Sequence, residues 1–127
     1  MSRKRTITVA TVALLSTLTP ALAHDDVAYT FAECAGRFSA EMEHAWLIND
    51  QRADMFAADR ASFVVLTTAS MRPDDGRAIL GHRIEVKLAH AALLQQATFA
   101  TAPSRARAAR DTALRHLAAC RSLLLGS

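Results

Sequence analysis

Glu41 and His44 have the E-x-x-H spacing with which helices of metal-binding bundles present a carboxylate and an imidazole to one ion. A two-metal site of this kind needs a second E-x-x-H and two further inward carboxylates, and the chain contains a single E-x-x-H. Glu33, Arg37 and Glu41 also recur every four residues, as ion pairs on the solvated face of a helix do. We therefore predict that Glu41 and His44 are surface residues of a helix and not metal ligands.

A copper site at a new N-terminus is a second candidate. Removal of residues 1–23 would make His24 the first residue, and a terminal amine with its imidazole chelates copper when another histidine lies close. That second imidazole would come from His82, His90 or His116. A short disordered lead-in explains His24 and the two aspartates after it equally well. The sequence therefore assigns no metal here.

Haem binding is the third candidate. Covalent attachment requires a C-x-x-C-H motif, which the sequence lacks. A non-covalent site would use His116 with Met42 or Met55 as axial ligands. Methionines at helical spacing more often fill gaps in a core, so no cofactor is assigned.

Motifs for catalysis are missing from the sequence. It has no G-x-S-x-G elbow, no C-x-x-C redox pair and no Gly-rich phosphate loop. We therefore expect a non-catalytic binding or structural protein, with a metal- or haem-binding bundle as the alternative. The sequence does not identify a protein partner.

The N-terminal segment predicts export. A basic start at residues 3–5 is followed by an apolar run, by Pro20, and by small residues at Ala21 and Ala23. This order is typical of a secretory signal peptide cleaved after Ala23. An uncleaved anchor is the alternative, but the apolar run is shorter than the about 20 residues of a membrane span. We expect residues 24–127 to form the mature, periplasmic or secreted domain, without a membrane span.

The charge balance of that mature domain argues against nucleic-acid binding. Three of the 15 basic residues lie in the predicted signal segment, which leaves 12 against the 12 acidic residues. The whole formal charge of +3 therefore belongs to the signal segment. A basic face, the usual mark of a nucleic-acid partner, is not indicated.

Two cysteines, Cys34 and Cys120, remain in the exported domain. In an oxidising compartment a disulfide is the default interpretation, with two buried thiols or a metal-bound pair as alternatives. We predict that Cys34 and Cys120 are bonded.

The remaining sequence predicts an all-α, single-domain protein. Alanine and leucine dominate, and apolar residues recur at helical spacing over about 30–49, 54–69, 75–99 and 104–124. Thr30 and Glu33 resemble a capping box at the start of the first helix. Its expected core face comprises Phe31, Cys34, Ala35, Phe38, Met42, Ala45 and Trp46.

The third helix shows two apolar seams, one with Leu80, Ile84, Leu88 and Ala91 and one with Ile79, Val86 and Leu93. The last helix has a single core stripe: Ala106, Ala109, Ala113, Leu117, Cys120 and Leu124. Its arginines are spread around the helix and are expected to be solvated, with an electropositive stripe for lipid or an acidic partner as the alternative: Arg105, Arg107, Arg110, Arg115 and Arg121.

Short connections favour a four-helix up-down bundle. In that topology the start of the first helix and the end of the last lie at the same end of the bundle. Cys34 and Cys120 occur at those two places, so the predicted topology and the predicted disulfide agree.

Overall fold

The computed structural model describes residues 24–126, and four α-helices make up most of them: α1 (His24–Leu47), α2 (Ala53–Ser70), α3 (Gly76–Phe99) and α4 (Pro103–Leu125). One turn of 3-10 helix, Pro73–Asp75, precedes α3. Within these residues no strand occurs, so the predicted all-α fold is confirmed. The predicted signal segment, residues 1–23, lies outside the described residues.

The first helix starts earlier than predicted. It begins at His24, so the capping box at Thr30 and Glu33 is wrong, and both residues lie inside the helix. Residues 24–29 contain neither glycine nor proline, and nothing in them interrupts the helix. At the other end Asn49 adopts a left-handed conformation (φ 56°), and the Asp50 N–H donates to the Ala45 carbonyl at 2.8 Å. This is the Schellman arrangement that ends many helices.

The helices alternate in direction, as predicted. Cys34 near the start of α1 is bonded to Cys120 near the end of α4, with 5.6 Å between their Cα atoms. Ile79 at the start of α3 packs against Ala28 and Ala32, so α1 and α3 run parallel. The up-down topology and the disulfide are both confirmed.

The aromatic core lies between α1 and α2 and is closed by α4. Phe38 stacks on Phe63 with ring centroids 5.7 Å apart, and it also contacts Phe56 at 6.4 Å. Leu117 and Cys120 of α4 complete this cluster. All five side chains are buried, which explains why this part of the sequence shows clear helical periodicity.

The opposite side of α1 packs against α3 through small residues. Ala28, Ala32, Gly36 and Ala40 recur every four residues and are all buried. At Gly36 a Cβ atom would lie 2.5 Å from the Arg83 carbonyl oxygen, so the two backbones nearly touch there. Among the described residues, no Cα atom of α2 lies within 8 Å of one in α3 or α4. The central helix of the bundle is therefore α1.

One predicted seam of α3 is wrong. Leu80, Ile84 and Leu88 are exposed, whereas Ile79, His90 and Leu94 are the buried residues of α3. Trp46 is also wrong as a core residue, since it is 60% exposed. It lies about 80° around the helix from Phe38, at the edge of the buried face.

The other predicted core residues of α1 and α4 are buried or partly buried. Across residues 24–126, none of the helices combines the length and apolarity needed to cross a membrane.

Candidate functional site

A cavity of about 530 Å³ lies at the end of the bundle where α1 leads into α2. All four helices contribute to its walls, and its apolar lining includes Met55, Phe56, Leu94, Ala113, Leu114 and Leu117. Phenylalanines fill the space around the disulfide, whereas at this end Ala45, Ala97 and Ala113 leave room. Small-molecule sites are typically cavities of about 300–1,000 Å³ with mostly apolar walls and a few polar groups. This cavity has the size of such a site, and nine of its sixteen lining residues are apolar.

Glu41 forms part of the cavity wall and is the most buried carboxylate there. Its side chain is only 10% exposed, and its Oε1 atom lies 2.8 Å from Nε2 of His90 on α3. The prediction that Glu41 is a solvated surface residue is therefore wrong. The face on which Glu41 lies meets α3 instead of water, because α1 has neighbours on two sides.

His90 and His116 extend this polar cluster into the interior. The His90 side chain is 1% exposed, and its ring lies 5.8 Å from that of His116 on α4. The Nδ1 atoms of both rings are buried without a hydrogen-bond partner in the described chain. Burial lowers the pKa of the His116 imidazole, and the nearby charges of Arg37 and His90 lower it further. The lowered pKa keeps the His116 imidazole neutral. Its Nδ1 atom is buried without a hydrogen-bond partner, and burying a neutral ring in this way costs less free energy than burying a charged one.

Other polar contacts continue along the interface between α1 and α3. His82 Nε2 lies 3.0 Å from Glu33 Oε1, and the Lys87 ammonium donates to Glu43 at 2.6 Å. In these two contacts and in that of Glu41 with His90, α1 supplies the acid and α3 the base. These pairs could not be predicted from the sequence, since each partner lies 44 to 49 residues away.

His44 lies on the cavity wall, but it is turned toward α3. Its Nε2 atom lies 2.9 Å from Thr98 Oγ1, and its ring meets Phe99 edge-on. It is half-buried, so the surface prediction holds only in part. Glu41 and His44 have different partners on α3 and do not act as a pair, although both line the cavity.

The candidate metal and haem ligands are distributed as follows. Of the predicted axial ligands, Met55 lines the cavity, Met42 packs against the aromatic core, and His116 lies beside His90. His24 is the first residue of α1, and its side chain lies outside the described part of the structure. Among the described residues, no three His, Cys, Asp or Glu side chains group together as metal ligands would.

Three arginines surround the cavity: Arg52, Arg110 and Arg121. The Arg52 guanidinium donates to the Asp50 carboxylate at 2.6 Å. The side-chain and backbone hydrogen bonds from Arg52 lower the pKa of the Asp50 carboxyl to about 2. Arg121 pairs with Asp59 at 2.8 Å. Arg110 is exposed, as predicted for the arginines of α4, whereas Arg121 is partly buried. Both reach the cavity because they lie on the face of α4 that lines it.

Comparison of the chain with protein-family models, curated proteins and solved structures finds no match. Function is therefore argued from the geometry of this site.

Proposed function

We propose that the protein is an exported, non-catalytic binding protein whose cavity takes a small, largely apolar molecule. The observation that carries this proposal is the cavity of about 530 Å³, to which every helix of the bundle contributes apolar side chains. The cavity is half-open, and its apolar residues Ile48, Met55 and Leu114 are exposed, so a bound apolar molecule would remove their surface from water. Its place between helices is also a common position for ligand sites in bundles.

Binding is better supported than catalysis. The nearest approach to a catalytic pair in the cavity is Thr98 with His44, which are 2.9 Å apart. A general base of this kind is normally oriented by a third group. Among the described residues, Thr98 is the one hydrogen-bond partner of the His44 side chain. The other histidine of the region, His90, is too buried to reach a substrate.

Export is the second part of the proposal. The order of charged, apolar and small residues in 1–23 supports it, and a disulfide is compatible with an oxidising compartment. Intact-mass measurement of exported protein should give a chain that begins at His24. A chain that still carries Met1 would contradict this part.

Binding is tested with N-phenyl-1-naphthylamine, a neutral apolar probe whose fluorescence rises in apolar surroundings. We expect saturable binding of about one probe per chain. Leu114→Trp places an indole at the cavity and should weaken binding at least tenfold, because it occupies the space of the probe. Leu88→Trp is the matched control, since Leu88 is similarly exposed but lies outside the cavity. Absence of saturable binding, or equal loss in both variants, would refute the proposal.

The rival proposal is a metal- or haem-binding protein of the same fold. The observation in its favour is the hydrogen bond from His90 to Glu41, since metal-bound histidines commonly hold a carboxylate with their other nitrogen. Metal analysis and visible absorbance of protein purified from its native compartment separate the two proposals. Stoichiometric metal lost in a His90→Leu variant, or a haem spectrum, would favour the rival.

A further inference from the structure

We infer that the ligand of this cavity is an amphipathic carboxylate, a molecule with an apolar body and one acidic group, and that Arg110 binds the acidic group. This inference rests on the proposed function, because it specifies the ligand of the same cavity. It is argued from the charges of the lining, from the partners of each arginine and from the spacing of residues on α4.

The lining of the cavity contains three arginines and two carboxylates, Glu41 and Asp50. Glu41 already accepts a hydrogen bond from His90, and Asp50 already pairs with Arg52. Asp59, outside the lining, pairs with Arg121, so Arg110 is the one arginine of the lining without a carboxylate partner among the described residues. A ligand with one negative charge would supply that partner.

Two of the three arginines are already held by the protein. Arg52 makes a forked contact with the Asp50 carboxylate through Nε and Nη2, and its guanidinium lies 5.5 Å from the centre of the Phe56 ring. Arg121 makes a similar fork with Asp59 and lies 5.5 Å from the centre of the Phe38 ring. Both guanidinium groups are neutralised by a carboxylate and fixed against an aromatic ring.

Arg110 differs from them. Within the described chain its one hydrogen bond is a long contact of 3.4 Å from Nη2 to the Ala97 carbonyl, and no carboxylate pairs with it. A guanidinium has five N–H donors in a fork that matches the two oxygens of a carboxylate. Arg110 is exposed and therefore has most of its donors available at the edge of the cavity.

The residues of α4 that line the cavity determine how the ligand would be oriented in it. Arg110, Ala113, Leu114, Leu117 and Arg121 all line the cavity, so one face of the helix follows it. Eleven residues of helix separate the two arginines, a rise of about 16 Å. An acidic group at Arg110 would leave the apolar body to lie along Leu114 and Leu117. Glu41 in the wall would repel a second acidic group, which favours a ligand with a single charged end.

Decanoate and 1-decanol, which share chain length and differ in charge, provide the test. Binding of each to the exported, disulfide-bonded protein is measured by calorimetry, with decanoate below its critical micelle concentration and 1-decanol below its solubility limit. We expect decanoate to bind at least tenfold more tightly than 1-decanol. Arg110→Gln should weaken decanoate binding by about tenfold, the size expected for one charge-assisted hydrogen bond. Binding of 1-decanol should not change.

Arg107→Gln is the matched control, because Arg107 is an exposed arginine of α4 that does not line the cavity. Equal affinity for decanoate and 1-decanol, or equal loss of decanoate binding in both arginine variants, would overturn the inference. The proposed function would still stand if N-phenyl-1-naphthylamine bound to the wild type. If none of the three probes bound, the proposed function itself would fail.

Discussion

The two buried faces of α1 are built in different ways. The face toward α2 is packed with phenylalanine: Phe31 and Phe38 on α1 meet Phe56 and Phe63 on α2. Large side chains fill the space there. The free energy of this interface comes mainly from apolar area removed from water.

The face toward α3 combines small residues with polar pairs. Gly36 lets the two backbones nearly touch, and contacts such as Glu33 with His82 and Glu41 with His90 lie along the same interface. Such an interface tolerates little change in volume, and its buried polar groups depend on one another for partners. We expect substitutions on the face toward α2 to lower stability by reducing the buried apolar area. Substitutions on the face toward α3 should lower it by causing steric clashes or by leaving a buried polar group without its partner.

The largest expected effect belongs to the disulfide, which joins the aromatic face of α1 to α4. Replacing Cys34 and Cys120 together by alanine should lower the free energy of unfolding by about 4 kcal/mol, because the bond restricts a loop of 86 residues in the unfolded chain. Urea unfolding of the two proteins measures the difference. Two titratable thiols in unfolded, unreduced wild type would contradict the pairing.

The next largest effect concerns Glu41 and His90. Glu41→Leu or His90→Leu alone should each lower the free energy of unfolding by about 3 kcal/mol, since the remaining partner stays buried without its hydrogen bond. The double variant should lose clearly less than the sum of the two, because it leaves neither group orphaned. Additive losses in this double-mutant cycle would show that the two side chains are not coupled.

Gly36 and Gly81 form a matched pair for the close contact of α1 and α3. Both lie within helices, but a Cβ at Gly36 would clash with the Arg83 carbonyl, while nothing lies within 4 Å of one at Gly81. Gly36→Ala should destabilise the protein by about 2 kcal/mol through overpacking. Gly81→Ala should stabilise it by about 0.5–1 kcal/mol through helix propensity. Thermal unfolding of both variants measures these effects. If Gly36→Ala stabilised the protein, α1 and α3 would be farther apart at Gly36 than the structure shows.

These contrasts explain how much of the fold could be predicted from the sequence. The helices, their order and the disulfide followed from apolar periodicity and from the placement of Cys34 and Cys120. The packing of α3 did not follow, because its inner face carries Arg83, Lys87 and His90 at positions where a core helix usually has apolar residues. Periodicity gave two apolar seams and did not show that Leu80, Ile84 and Leu88 of one of them lie on the exposed outer face.

Single residues of the candidate site could be predicted from the sequence, but their partners and the cavity could not. Glu41 was singled out, but for its spacing to His44, whereas its partner is His90 on another helix. The cavity left no signal in the sequence, since it depends on the separation of α2 from α4. Its only local trace is the spacing of Arg110, Leu114, Leu117 and Arg121 on one face of α4. Helical spacing alone does not distinguish a cavity wall from a core.

His116 should make stability depend on pH. Its pKa is lowered in the folded protein by burial first, then by Arg37, His90 and Arg115, with Glu33 acting in the opposite direction. The unfolded chain therefore binds more protons than the folded one just below pH 6.5, the ordinary histidine value, so the free energy of unfolding falls as the pH drops through that value. We expect His116→Gln to remove this component. Urea unfolding of both proteins between pH 7.5 and 5 measures it, and identical pH profiles would contradict it.

The smallest effect is expected for His44→Ala. His44 and His90 both bridge α1 to α3, but His44 is only half-buried, and its partner Thr98 is exposed and can bond to water instead. Loss of His44 should therefore lower the free energy of unfolding by about 0.5 kcal/mol, against about 3 kcal/mol for His90→Leu. Bound metal per chain should be the same in wild type and His44→Ala, both prepared without a polyhistidine tag. Metal that is present in the wild type and lost in the variant would contradict this prediction. Glu41 and His44 would then be a metal site, and His44 would differ from His90 in function and not only in burial.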